Sequence, residues 1–339
     1  MPYRSRRYRP DKIAEFYRRT EPDRNRRSCR WSIRPTSHAS VTVYALMCLH
    51  ASLMMCAGIA VRPDLHNITT PVFREGNDTV FDPARALKFT YFSSAAYCSL
   101  DSIASWSCKP CLMADPSFSP KAFWSPRTGM QAFVGMAAEG IIVAFRGSDN
   151  LENWIENLQF SKRSVYPKCA GCEVHSGFYE TWLSVSDGVI SEVMRLHALH
   201  PKSKIFLTGH SLGAAVAALC AAELGASSHS LGLPIAAVYN YGQPRVGNAA
   251  FASFYETGTH VSWRVTHWRD PVPHLPLEFM GFHHLTTEVF YNQDSSSFQV
   301  CDSSGEDPTC SNRFGIIAND ISDHLHYLDP PVGEIGVCS

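Results

Sequence analysis

No stretch constrains the fold more than Gly209-His-Ser-Leu-Gly213. It is preceded by Lys204-Ile-Phe-Leu-Thr208, a run of strand character, and followed at once by Ala214-Ala-Val-Ala-Ala-Leu-Cys-Ala-Ala222, a run of strong helix formers. A strand that becomes a helix within one tight bend leaves no space for a side chain on either flank, which accounts for Gly209 and Gly213. The same bend forces Ser211 into a strained conformation with its hydroxyl exposed. The new helix aims its first amides at whatever sits on that hydroxyl, so donors line the place where negative charge would develop. A plain Gly-rich turn at a strand end is the alternative, and the strand and helix around the motif favour a nucleophile elbow over it.

The rest of the chain is patterned to match. Gln131-Ala-Phe-Val-Gly-Met-Ala137 and Gly140-Ile-Ile-Val-Ala-Phe-Arg-Gly147 predict a hairpin leading into a sheet. Ala86, Leu87, Phe89, Phe92, Ala95 and Ala96 predict a helix ending around Cys98, and Phe178, Trp182, Leu183, Val185, Val189, Ile190 and Val193 predict one long amphipathic helix over 177–199. A strand over 235–241, a helix over 248–255 and a strand over 263–267 follow the elbow. Alternating strands and helices without an internal repeat predict an α/β fold around a buried, mostly parallel sheet.

The N-terminal quarter is different. Residues 1–38 carry a dense set of arginines, from Arg4 to Arg34, with few acids, and predict a disordered basic leader. Residues 39–61 carry no formal charge and are long enough to cross a bilayer, which predicts a cleaved signal peptide or, alternatively, an uncleaved signal anchor that tethers the protein to a membrane. A start at Met47 would leave a more ordinary signal. Residues 62–85 hold the sequons at Asn67 and Asn77 and predict a glycosylated linker ahead of a domain over 86–339. Twelve cysteines suit an oxidising, extracellular compartment, and Cys108-x-x-Cys111 and Cys169-x-x-Cys172 lie in loop sequence that suits local disulfides better than zinc. A net charge of −1 gives no argument for nucleic acid as a partner.

A serine hydroxyl needs a histidine to take its proton and a carboxylate to orient that histidine. In hydrolases of this topology the order along the chain is serine, acid, histidine. Asp270, after a strand-like run and before prolines, suits the acid, with Asp294, Asp302 and Asp323 as rivals. His324, on a late loop, suits the base, with His284 and His326 as rivals among the fifteen histidines.

From about Ala86 to Ser339 the chain resembles the fungal class 3 lipases of the α/β-hydrolase fold. The resemblance is carried by the elbow and by Phe145-Arg-Gly-Ser148, Glu152-Asn-Trp-Ile155, Cys169-x-x-Cys172, Tyr241-Gly-Gln-Pro-Arg-Val-Gly-Asn248, Arg264-Val-Thr-His267, Asp270-Pro-Val-Pro273 and Asp323-His-Leu-His-Tyr327. It implies a Ser211, Asp270, His324 triad, with His267 and His284 at structural positions. It also implies an oxyanion hole formed by Ser148 and the backbone amide of Leu212, in keeping with the amide that the elbow aims. It further implies disulfides Cys98–Cys338, Cys108–Cys111 and Cys169–Cys172, and a fourth, Cys301–Cys310, closing a loop near His324.

Leu151, Trp154, Ile155 and Leu158 form one apolar stripe on a short helix whose other face is Asn and Glu. In the lipases this segment is a lid that rolls back at a lipid surface, which implies an acylglycerol substrate at a lipid–water interface, transient contact with that surface through the lid, and no metal or organic cofactor. An ordinary amphipathic surface helix is the bland reading of the stripe. A feruloyl or other carboxylic ester hydrolase of the same family, or a catalytically silent surface-binding relative, are the other functional readings. Ala214 for a frequent Gly, Thr287-Glu-Val-Phe290 for Pro-Glu-Tyr-Trp and His326 for an aromatic depart from the family pattern.

Overall fold

Asp82 and Pro83 start the first helix, α1 (Pro83–Ala95): the Asp82 carboxylate accepts from the amides of Ala84 and Arg85 at 2.9 and 3.4 Å, and the proline occupies the first turn. The structure, a computed structural model, describes residues 78–225, 232–259, 261–315, 318, 320–328, 331–333 and 338. The leader, the apolar segment over 39–61 and the sequons at Asn67 and Asn77 lie outside the described residues. Folded chain begins ahead of Ala86, because Phe81 is buried and Asp78 pairs with Arg85 and Lys204. Residues 78–85 are therefore part of the domain and not a linker; the Asp-Pro cap set the start, and apolar periodicity alone does not register it.

The elements that follow are α2 (Leu100–Ala104), α3 (Lys109–Ala114), β1 (Ser119–Trp124), β2 (Gln131–Ala137), β3 (Gly140–Phe145), α4 (Leu151–Glu156), β4 (Lys162–Arg163), β5 (Val174–His175), α5 (Ser176–Leu183) and α6 (Ser186–Leu199). Then come β6 (Ile205–His210), α7 (Leu212–Gly225), β7 (Ile235–Tyr241), α8 (Ala249–Glu256), β8 (Ser262–His267), β9 (Glu288–Tyr291), β10 (Phe298–Val300) and α9 (Ile321–Leu325). The single long helix expected over 177–199 is two helices. The hydroxyls of Ser184 and Ser186 donate back to the carbonyls of Thr181 and Leu183, and this local bonding competes with helix continuation at Val185.

Eight strands form one sheet in the order β1-β2-β3-β6-β7-β8-β9-β10. The five strands β3, β6, β7, β8 and β9 run parallel, and antiparallel neighbours complete both sides. Alternate residues feed two cores. On one face Val134, Val143, Leu207 and Val238 pack with α5, α6 and the mostly buried helix α7. Phe133, Ile142, Ala144, Phe206, Ala237 and Tyr239 meet α1 on the other. The alanines of α7 bring that helix close to the sheet, and Cys220, a free and buried thiol, sits among them. Arg264 and Glu288 form a fully buried ion pair on adjacent strands. The guanidinium also donates to the carbonyls of Leu285 and Gly305, so neither charge is left alone.

Four disulfides join Cys98 to Cys338, Cys108 to Cys111, Cys169 to Cys172 and Cys301 to Cys310. Behind the second of them, Trp106, Phe118, Phe92 and Phe133 pack ring against ring with centroids 4.7–6.4 Å apart. Phe133→Ala is expected to destabilise the domain by roughly 3–5 kcal/mol, lowering Tm by on the order of 10 °C in calorimetry. A loss below about 1 kcal/mol would mean that this cluster contributes little to the α1 face.

Candidate active site

The site grows from the end of β6. Ser211 has φ 59°, a left-handed conformation that serine rarely adopts, and its amide donates to the carbonyl of Tyr241 at 2.9 Å. A Cβ on Gly209 would lie 2.4 Å from the Gly213 backbone, and one on Gly213 would lie 2.3 Å from the carbonyl oxygen of Phe145. Strand, bend and helix thus interlock with no side chain between them. Ser211 is almost fully buried, and its Oγ has no hydrogen-bond partner among the described residues.

Asp270 lies in the loop after β8. Its Oδ1 accepts from the Val272 amide at 2.8 Å; its Oδ2 accepts from His324 Nδ1 at 2.8 Å and from the Tyr327 hydroxyl. His324 lies on α9, a helix capped by Asp320. Because Nδ1 donates to the carboxylate, Nε2 of the neutral ring carries the lone pair, and it too has no partner among the described residues. Ser211 and His324 line the same cavity, of about 250 Å³. A serine hydroxyl and an imidazole lone pair, facing one small space with a carboxylate behind the ring, constitute a geometry for proton abstraction.

The rivals are elsewhere. Asp294 and Asp302 are exposed in turns, Asp323 accepts from the Arg269 amide, His284 bonds the carbonyl of Pro273, and His326 is exposed and bonded to the carbonyl of Ser322. His267 bonds the carbonyls of Asp323 and Gln293. Tyr327 escaped the reading of the sequence as a site residue, as did Tyr97 and His210, which bond each other at 2.8 Å beside the cavity. For Tyr327 the available signal was its place three residues beyond His324; for Tyr97 the sequence carries no signal, since it lies 113 residues from His210.

Half-buried Ser148 follows β3 and lines both this cavity and a second one of about 660 Å³. Leu212, the first residue of α7, lines the second. The first amides of a helix have no acceptor within it, so the Leu212 N–H is available to an oxygen at this point. Helix α4 and the turn after it lie over both cavities: Leu151 lines the smaller, Trp154 and Leu158 line the larger, and Trp154 stacks on Phe178 with centroids 6.2 Å apart. Leu158 falls beyond the helix end at Glu156 and not on it as expected. Ile155 is half-buried and lines neither, while Glu152, Asn153, Glu156 and Asn157 are exposed. The close grouping Cys301, Asp307 and Cys310 offers no thiolate to a metal, because its two sulfurs are bonded to each other.

The chain matches the family model described as Lipase (class 3) over residues 142–280. It is 35% identical to a lipase of Rhizomucor miehei over 246 residues, covering 71% of this chain and 67% of that one. The chain belongs to the class 3 lipase family. A further relative in this family, the secreted mono- and diacylglycerol lipase 1 of Fusarium solani, is 37% identical over 211 residues, 60% of this chain and 61% of its own. Among solved lipases, the Rhizomucor miehei triacylglyceride lipase superposes with a TM-score of 0.66 at 31% identity, covering 75% of this chain and 96% of that chain. Lipase II of Rhizopus niveus does so with a TM-score of 0.68 at 28% identity over 75% and 96%. The sheet and its flanking helices are thus the α/β-hydrolase fold, and no helix of the described residues of this class 3 lipase is long and apolar enough to cross a membrane.

Three groups of this lipase titrate well away from their ordinary values. Burial pushes His175 down to about 4; its ring bonds the carbonyl of Gln159 just after the α4 segment and accepts from the Phe178 amide. Burial, with Arg245 beside it, also pushes His274 down to about 4. Loss of water pushes Glu223 up to about 7. The unfolded chain protonates the two histidines near 6.5 and the folded chain only near 4, so their stabilisation is complete above 6.5 and is lost as pH falls through 4. Glu223 acts in the opposite sense: its stabilisation is complete below 4.5 and is lost as pH rises through 7. Tm is therefore expected to fall from pH 7 to pH 4.5, and Glu223→Gln, which removes the opposing contribution, is expected to steepen the fall. Scanning fluorimetry across this range checks both; a shallower fall in the variant would reverse the assignment.

Proposed function

We propose that the protein is a secreted serine ester hydrolase of the triacylglycerol lipase type, releasing fatty acids from water-insoluble acylglycerols. His324 takes the proton of Ser211 as Oγ attacks the ester carbonyl. Asp270 holds the imidazole in the tautomer that accepts the proton and stabilises the imidazolium that forms. Ser148 and the Leu212 amide receive the oxyanion. His324 then protonates the departing glycerol oxygen, and water, activated in turn by His324, releases the fatty acid from the acyl-enzyme. One observation carries the reading: Ser211 Oγ and His324 Nε2, both without partners among the described residues, face one cavity with Asp270 behind the ring.

The apolar side chains of the segment over 151–158 support an insoluble substrate. In water Leu151, Trp154 and Leu158 are tucked over the two cavities, and rolling the segment outward exposes them. A lipid surface would compensate at roughly 1.5–3 kcal/mol per large apolar side chain, enough to shift such a flap. Extracellular location is supported by the apolar segment over 39–61 and by the name of the Fusarium relative, which describes a secreted enzyme.

Ser211→Ala is expected to lower glyceride hydrolysis by at least about 1,000-fold, measured by titrating fatty acid from an olive-oil emulsion. In the wild type, activity on tributyrin is expected to jump as the ester passes its solubility limit. Undiminished hydrolysis in the variant would overturn the role of the serine; a smooth saturation curve would overturn the role of the flap.

A further inference from the structure

We propose that His210, the residue before the elbow serine, is a positioning residue for His324: as the neutral Nε2–H tautomer it holds the backbone carbonyl of His324, and Tyr97 fixes that tautomer. The inference rests on the proposed hydrolysis by Ser211 and His324. His210 Nε2 lies 2.8 Å from the carbonyl oxygen of His324. A carbonyl only accepts, so Nε2 carries a hydrogen. His210 Nδ1 lies 2.8 Å from the Tyr97 hydroxyl. Nδ1 of a neutral ring only accepts, so Tyr97 donates. The Gly147 backbone packs against the phenol oxygen so closely that a Cβ there would lie 2.0 Å from it, so glycine is required for the approach.

The result is one directed chain, Tyr97 O–H to His210 Nδ1 and His210 Nε2–H to the carbonyl of His324, with Gly147 packed against its Tyr97 end. Three separate segments meet in it, namely the loop that carries Ser148, the strand end that carries Ser211 and the helix that carries His324. Rotation or recession of His210 would free that carbonyl and let the catalytic ring drift from the serine. Displacement of a reacting group by about 1 Å costs on the order of 100-fold in rate.

The ring must also be uncharged. The titratable groups facing it are His324 with centroids 4.4 Å apart, Tyr97, and Tyr327 at 5.7 Å, with Asp270 behind His324; Leu325 and Gly333 close the remaining side. Beyond Tyr97 lies the ion pair of Arg146 and Asp149. A second imidazolium at this distance would oppose the positive charge that His324 acquires during the reaction. Burial and the neighbouring His324 hold His210 well below the ordinary histidine range, and burial holds Tyr97 as a phenol.

Replacement series separate positioning from mere support of the fold. Gln places an N–H where Nε2 was, and Asn does not reach it. With active sites counted by a fluorophosphonate burst, kcat on p-nitrophenyl butyrate is expected to fall about 10- to 100-fold in His210→Asn, to stay within several-fold of wild type in His210→Gln, and to leave KM within about twofold in both. Equal losses in the two variants, or an unchanged kcat in His210→Asn, would overturn the proposal. Inactive wild type would instead sink the hydrolase reading itself. Where either variant fails to fold, ¹⁵N-histidine spectra of the wild type and Tyr97→Phe decide, since they need no turnover. A single Nε2–H tautomer for His210 in the wild type, lost in Tyr97→Phe, upholds it; an Nδ1–H ring or an imidazolium in the wild type refutes it.

Discussion

Contact between backbones with nothing between them governs this structure. At the elbow the end of β6, the bend and the first turn of α7 approach so closely that the van der Waals radius of a methyl group does not fit on either flank, and β3 presses on the same point through the carbonyl of Phe145. This fixes where the serine sits relative to the strand before it and the helix after it. The strain at Ser211 persists because the sheet on one side and the buried helix on the other over-determine it. The alanine-rich sequence of α7 follows from the same requirement, since a helix this near the sheet admits only small side chains at the contact.

The other parts of the site come from loops and the short helix α9, and loops must be held by polar contacts where no ladder reaches. Arg245 does this after the acid: it forms a bidentate pair with Glu306 and donates to the carbonyls of His274 and Pro276. Glu306 also receives the amide of His284, so the loop closed by Cys301 and Cys310 bears on the segment carrying Asp270 through one guanidinium. His267 ties the carbonyl of Asp323, and His210 ties the next one along the chain. Among the described residues, His175, His210, His267 and His284 each hold a carbonyl in a place water does not reach.

The α/β class, the hairpin into the sheet and the elbow are all legible in the sequence, because each depends on local propensity and spacing. The edge strand β1 is not, since Ser119-Pro-Lys-Ala-Phe-Trp124 has a proline and no clean alternation, both of which an edge strand tolerates. The break between α5 and α6 is hidden because apolar spacing runs through it while serine hydroxyls end the first helix. Of the site, Ser211 declares itself by its neighbours, whereas spacing alone favours Asp270 without removing Asp294, Asp302 and Asp323 as rivals. Which carboxylate meets a given histidine depends on loop paths spanning tens of residues, and no local pattern encodes those. Tyr97 lies further still beyond a sequence reading, being placed by the packing of α1 against the sheet.

The bond between Cys98 and Cys338 spans a sequence separation of 240 and leaves the chain at Tyr97's immediate neighbour. The ring therefore cannot close until the whole stretch from Cys98 to Cys338 has been made, and that stretch holds the entire sheet, the elbow and the triad. Locking is thus a check on completeness. A chain with serine in place of Cys338 would retain every residue that contacts Asp270 or lines the cavities, yet would lose the covalent tie that removes the largest share of freedom from its unfolded form.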